Sequence, residues 1–532
     1  MKLKFVFLVT LFAALAFTVS AQVWQWSVPV KSYSAKPKST KCTAFLWIPE
    51  GCKQVKAVIV AQSNMEEISI LEDAGFRKEM SRLGVAQVWV TPMFDNLFNF
   101  TDGAWETMQG ILTALADESG YKEIATASLI GMGHSAAASF PYYLGACQPQ
   151  RTIACISTSG QWPYFRHPSY APDIWGERTI DYIPSLETMG EYESAHTWSN
   201  EGLKQRYDHP LMPLSMLACP AEGHFASSPE KAQYMALYIQ KAMHYGHVDP
   251  TKTGWLMERW KKDQLPGYEP APVGEYKGDP KEAFWFFDEE MVKATVAYEA
   301  RFRNRRPQLL GILQQGKMVE QRNDHLQLHP RFVTEEDGRS VMLSPVFLDT
   351  VPAVSSRLTD WTGLPVGTAI GNAQGPIVLQ KICGSFEIVD DTVLVETWNR
   401  ATPTYAEKDA MSFAMKNPGD ETYKPAVQQA EIAFSLYRKE GKAQQIIFHP
   451  IADCNLSRLP KSLDLQATSD AGLPVSFYVV AGPCEIQGSK LFFQKIPPRT
   501  KFPMKVTVTA WQSGNNSTQT SQPVTRTFFI QK

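Results

Sequence analysis

Cysteine is scarce, at 8 of 532 residues. That density is far below a disulfide-stapled scaffold, and a chain this long buries enough apolar surface without one. There is no C-x-x-C pair and no glycine-rich phosphate loop, so redox-motif and nucleotide-loop chemistry have no support. A surplus of either charge is also missing. Lys plus Arg number 52 and Asp plus Glu 54, a formal net charge of −2. Without a basic run, recognition of nucleic acid or another polyanion through bulk charge is not supported. Beyond the N-terminus no apolar stretch reaches the roughly 18 residues of a membrane helix.

What is present is ordinary globular material, 44% apolar and 20% charged. At about 150 residues per domain, the length predicts three or four domains. Residues 1–4 are basic, 5–19 are apolar, and Val19-Ser20-Ala21 is a small-residue cleavage site. This is the pattern of a secretory signal peptide over 1–21, which predicts an exported, periplasmic or secreted protein. Such a compartment permits disulfides. Cys42 and Cys52 are near enough in sequence to pair, whereas Cys155 and Cys219 sit in strand-like runs and read as buried thiols.

From residue 42 to about 243, short β runs alternate with helical runs. Strands are predicted over 43–48, 57–61, 85–90, 127–131, 152–158, 185–189 and 214–219. Helices are predicted over 68–83, 102–116, 136–144 and 229–243, the last capped by Ser228. Alternation of this kind predicts an α/β fold, a mostly parallel sheet covered on both faces. It defines a first unit over 22–305, interrupted by a Pro-, Gly- and charge-rich linker or insertion over 247–280. A long aromatic-bearing helical run is expected over 281–304, its aromatics packing on a neighbouring unit. After residue 306 short β-branched runs separated by Gly, Pro and Asp predict all-β units over 306–452 and 453–532.

The chemistry concentrates at Gly131-Met-Gly133-His134-Ser135-Ala136-Ala137. A β run meets Gly-x-Ser and turns at once into a helix. A nucleophile on so tight a turn adopts a strained backbone, and its neighbours at minus two and plus two must be small. Gly133 and Ala137 satisfy that demand; the competing reading is a buried Ser that caps a helix. The motif resembles the nucleophile elbow of the α/β-hydrolase family, whose pattern is Gly-x-Ser-x-Gly, with Ala137 as a departure in the last place. The resemblance implies a base and an acid in the chain order Ser, acid, His. His224, after the 214–219 strand and before the 229–243 helix, stands where the family places its base. Glu193, in Gly190-Glu-Tyr-Glu193, stands where it places the acid, with Glu191 as the rival and Asp208 third. His134 reads as an elbow-packing residue. Two N–H donors would receive the oxyanion, one from Ala136 and one from the loop after the 57–61 strand, with Asn64 or Met65 the expected donor.

Trp162, Tyr164 and Trp175 follow the 152–158 strand, and predict either a substrate wall or a lid packed for stability. His325 and His329 share a strand face but lack a third ligand, so no metal and no cofactor are expected. The runs around Asn64 to Glu67 and Gly133 to Ala136 resemble exported bacterial hydrolases that work beside glycan-degrading enzymes. Segments 467–475 and 523–528 resemble immunoglobulin-like modules of bacterial surface proteins. Together these resemblances imply a secreted carbohydrate esterase that removes acetyl, methyl or aryl esters from a polysaccharide or its oligosaccharides. A serine peptidase of the same fold, and an inert glycan-binding or adhesion protein, are the alternatives.

Overall fold

The computed structural model describes residues 23–30, 42–225, 227–320, 327–353, 362–403 and 408–532. The expected signal peptide and His325 lie outside these. An eight-stranded sheet organises the first half: β1 (Trp26–Pro29), β2 (Thr43–Trp47), β3 (Ala57–Gln62), β4 (Val85–Thr91), β5 (Ser128–His134), β6 (Thr152–Thr158), β7 (Ser185–Gly190) and β8 (Leu214–Cys219). Its spatial order is β1-β2-β4-β3-β5-β6-β7-β8. β1 and β2 pair antiparallel, as do β2 and β4, while every neighbour from β4 to β8 runs parallel. The parallel strands are nearly continuous runs of apolar residues such as Val58, Ile59 and Val60, all fully buried, as strands covered on both faces must be.

The covering helices are α1 (Glu67–Leu71), α2 (Ala74–Leu83), α3 (Ala104–Ser119), α4 (Phe140–Cys147), α5 (Ala195–Asp208) and α6 (Pro229–Tyr245). The single helix expected over 68–83 is two, because the Asp73 side chain accepts from the Phe76 N–H and starts a new helix there. Ser228 caps α6 as expected, accepting from the Lys231 N–H. This strand order, with helices on both faces, is the α/β-hydrolase fold.

The 247–304 region departs from expectation. β9 (Trp255–Glu258) and β10 (Ala271–Pro272) form a small antiparallel sheet with β11 (Ala283–Phe286), and only then does α7 (Glu289–Glu299) begin. The predicted long helix is therefore a strand followed by a shorter helix. Asp288 separates the two, its side chain accepting from the Met291 N–H.

The second half is all β. Val378–Cys383, Lys408–Asn417 and Ala426–Ser435 form one antiparallel sheet, and Trp398, Phe413 and Ile432 lie in a separate core around it. At the C-terminus a four-stranded sheet containing Met504–Trp511 and Val524–Gln531 is accompanied by a three-stranded one. Val506, Phe528 and Ile530 of this last unit belong to the same apolar core as the hydrolase sheet. Gly482 donates its N–H to the Trp24 carbonyl, and Arg499 pairs with Glu123 at 2.8 Å. All eight cysteines are free thiols, so Cys42 and Cys52 do not pair; Cys155 and Cys219 are buried. Among the described residues no helix is long and apolar enough to cross a membrane.

Candidate active site

β5 ends at His134, and the chain turns directly into a one-turn 3-10 helix, Ser135–Ala137. Ser135 sits at φ +52°, a region that non-glycine residues enter only at a cost. Gly133 is obligatory here, since a Cβ on it would lie 2.0 Å from the Ala137 carbonyl oxygen. Ala137 is fully buried, which accounts for a small residue at plus two.

The structure brings the three expected side chains together. Ser135 Oγ lies 2.8 Å from His224 Nε2, and His224 Nδ1 lies 2.5 Å from Glu193 Oε1. A carboxylate only accepts, so Nδ1 carries the ring proton and Nε2 is left to accept from the Ser135 hydroxyl. Burial alone would raise the Glu193 carboxyl, but the charge and hydrogen bond of His224 outweigh it and hold it at about 2. The acid therefore stays ionised across the working range, as an orienting partner must.

The rival acids are placed elsewhere. Glu191 accepts from the Ala221 N–H at 2.9 Å and pairs with Lys424 at 2.9 Å, so it braces the two loops without reaching His224. Asp208 is at the end of α5, paired with Lys204 in solvent. His134 is fully buried, with its ring centroid 4.9 Å from that of His224. Its Nε2 is 2.7 Å from the His224 carbonyl, which obliges that nitrogen to carry the proton. Burial, then the neighbouring His224, hold its pKa well below the usual histidine value, so it is a neutral strut.

The oxyanion loop differs from expectation. The N–H groups of Asn64 and Met65 both donate to Glu67 Oε2, at 3.0 and 2.9 Å, and the His134 N–H donates to Glu67 Oε1 at 2.8 Å. The two expected donors are thus turned onto a buried carboxylate. Sequence reasoning missed Glu67, although a Glu three residues after Asn64 has the reach-back spacing of a capping box. Burial raises its carboxyl to about 7, with the backbone donors only partly offsetting that. The Asn64 side chain donates to the His134 carbonyl at 3.0 Å. Ala136 lies half-buried in the 3-10 turn, where N–H groups precede any intrahelical acceptor.

Beneath the His224 loop, Lys231 is buried between Glu66 at 2.7 Å and Glu222 at 3.3 Å. Burial opposes the ammonium, but the two carboxylates outweigh it and keep it charged. Glu222 also accepts from Tyr298 at 2.8 Å and Ser228 at 3.0 Å.

Trp162 and Trp175 are each 1% exposed and do not line a cleft. Trp162 stacks on Phe284 with centroids 5.9 Å apart and donates Nε1–H to the Trp198 carbonyl. Trp175 packs edge-on against Tyr143 and half-buried Tyr164, and Tyr164 stacks on His209. Of the two readings of this loop, the packed one describes it. The open space lies on the other side. A cleft of about 910 Å³ separates the Asn64–Met65 loop from both β units, with Arg400, Asp409, Tyr478 and Gln487 among its walls. Among the described residues no cluster of three or more His, Cys, Asp or Glu could hold a metal ion.

No family model matches the chain, and no curated protein does. Solved structures do resemble it. Est1E from Butyrivibrio proteoclasticus is 12% identical, the match covering 42% of this chain and 99% of that one, with a TM-score of 0.28. Dienelactone hydrolase from Anabaena variabilis is 13% identical over 42% of this chain and 98% of its own, at 0.28. The serine hydrolase FphF from Staphylococcus aureus is 8% identical with the same coverage and TM-score. At these values the likeness carries no argument about activity, and the fold rests on the chain's own strand order.

Proposed function

We propose that the chain is a serine hydrolase that cleaves ester decorations from a glycan. The observation that carries this is the continuous chain of contacts Ser135 Oγ–His224 Nε2 at 2.8 Å and His224 Nδ1–Glu193 Oε1 at 2.5 Å, mounted on a strained elbow. Ser135 attacks the ester carbonyl while His224 takes its proton and Glu193 stabilises the resulting imidazolium. The Ala136 N–H receives the developing oxyanion. Collapse expels the alcohol, which takes the proton from His224, and water repeats the sequence to release the acid.

The cleft reaches the site through the Asn64–Met65 loop, and its hydroxyl, amide and charged side chains beside Tyr478 and Phe477 support a glycan as its occupant. Its carboxylates Glu72, Glu387, Asp409 and Glu485 outnumber Lys381 and Arg400. An uncharged, esterified sugar is therefore favoured over a free acid. This reading takes residues 1–21 as an export signal and the C-terminal unit as an immunoglobulin-like module. The test is a panel measuring acetate, methanol and hydroxycinnamate release from plant glycans beside peptide amides, with Ser135→Ala as control. Ester release that Ser135→Ala abolishes is expected; amide cleavage alone, or an active Ser135→Ala protein, would overturn the reading.

A further inference from the structure

The loops that carry His224 and Glu193 are held from outside the hydrolase sheet. Gln429, on the strand Ala426–Ser435 of the middle β unit, is 2% exposed. Its Oε1 accepts the N–H of Phe225, the residue after His224, at 2.5 Å across 204 positions of sequence. On the other side of His224, a Cβ on Gly223 would come 3.3 Å from the Gln429 amide carbon. One amide side chain therefore meets both peptide neighbours of the base. Gln429 is itself fixed: it pairs with Ala414 in the ladder, and its carbonyl accepts from the Leu328 N–H at 2.9 Å.

Three more contacts from the same sheet region reach these loops. Lys416 donates to the Ser227 carbonyl at 2.7 Å, Lys424 pairs with Glu191 at 2.9 Å, and the Tyr192 hydroxyl donates to the Pro425 carbonyl at 3.0 Å. Tyr192 and Phe225 share a small buried cluster with Ala414 and Val427. Among the described residues of 220–228 there is no strand or regular helix, so no ladder there fixes the imidazole. The ring has to satisfy two short hydrogen bonds at once, and angular freedom in its peptide would break one of them.

We propose that Gln429 is a positioning residue of the catalytic site, and that the 306–452 unit completes the hydrolase by splinting its base and acid loops. This rests on the Ser135–His224–Glu193 reading. It assigns the unit a role in turnover that neither a tethered binding module nor a spacer would have.

The experiment compares Gln429→Ala, which removes the acceptor, with Gln429→Glu, which keeps an acceptor oxygen at the same reach. Steady-state kinetics on p-nitrophenyl acetate and the rate of fluorophosphonate labelling are measured, each normalised to the folded fraction from near-UV circular dichroism. Gln429→Ala is expected to lower kcat about 10²-fold with KM nearly unchanged, and Gln429→Glu to recover most of that loss. Should Gln429→Ala fail to fold, Lys416→Met, which cuts the tether to Ser227 and removes a charge near Glu222 and Glu66, is expected to lower kcat in the same direction. Wild-type kcat in a folded Gln429→Ala or Lys416→Met protein overturns the proposal. So does equal loss in both Gln429 variants. If wild type labels at Ser135 and Gln429→Ala labels as fast, the splint alone is wrong. If wild type does not label at all, the triad reading fails and the splint falls with it.

Discussion

Substitution of Gly133 by alanine isolates the geometry of the elbow from its chemistry, because the residue carries no reacting atom. The added Cβ would stand 2.0 Å from the Ala137 carbonyl oxygen, 2.8 Å from its carbon and 3.3 Å from Pro141 Cδ. Real Cβ atoms essentially never approach closer than 3.0 Å, so backbone at the end of β5 or in the turn after Ser135 has to give by about 1 Å. Neither is a flexible side-chain tip, and both belong to the segment that aims the Ser135 hydroxyl at His224. A displacement of that size costs about 10² in rate, or about 2.7 kcal/mol of barrier. Overpacking adds about 1–3 kcal/mol of lost stability. Turnover of p-nitrophenyl acetate and urea unfolding of the purified variant measure the two effects separately. Gly110→Ala is the matched control. Gly110 is exposed in α3 with nothing within 4 Å of the new methyl, so activity is retained and stability rises by about 0.5–1 kcal/mol. A Gly133→Ala protein with wild-type kcat and unfolding midpoint would refute the account of the elbow.

Three further outcomes follow from the site. Glu193 has a folded pKa of about 2, below the usual 4.5, so its stabilisation is complete above pH 4.5 and is lost as pH falls through 2. That shift is worth about 3 kcal/mol; the unfolding free energy of wild type minus Glu193→Gln should shrink as pH falls from 4.5 through 2, whereas a difference unchanged over that range contradicts the pairing. Trp162→Ala is expected to cost about 3–5 kcal/mol in urea unfolding with KM unchanged, and a raised KM at full stability would restore Trp162 to the substrate wall. Lys231→Met strands buried Glu66 without its cation, Glu222 keeping Arg301 at 3.7 Å, and should lower stability by about 3–5 kcal/mol, measured by denaturant titration; a neutral result would mean that Glu66 carries no charge.

The parallel strands were legible because a fully buried strand is a short unbroken apolar run bounded by turn residues, as in Ala57–Gln62 and Leu214–Cys219. The same property misled at Ala283–Phe286. A buried strand of one alanine and three aromatics has no alternation to distinguish it from the start of the helix that follows. The break at Glu72 and Asp73 carried a capping signal that helical periodicity overrode. In the site, Ser135 was readable as a Gly-x-Ser turn after a strand, whereas His224 and Glu193 came from the resemblance to the α/β-hydrolase family, which places a base and an acid after these strands. The engagement of the Asn64 and Met65 N–H groups by Glu67 was not, because the direction of a loop amide depends on where its acceptor folds. Gln429 left no local trace at all, since its acceptor oxygen meets a partner 204 residues away. The tryptophans of the 161–175 loop were misplaced for a related reason: composition names an aromatic loop but not the side on which it finds cover.

The C-terminal unit shares a core with the hydrolase sheet, and the Arg499 N–H even donates to the Tyr121 hydroxyl, 378 positions upstream. A growing polypeptide would hold its early half with an unsealed greasy flank until residues 453–532 have been made. Premature termination within residues 453–532 would then leave a sticky, protease-sensitive product instead of a smaller stable one.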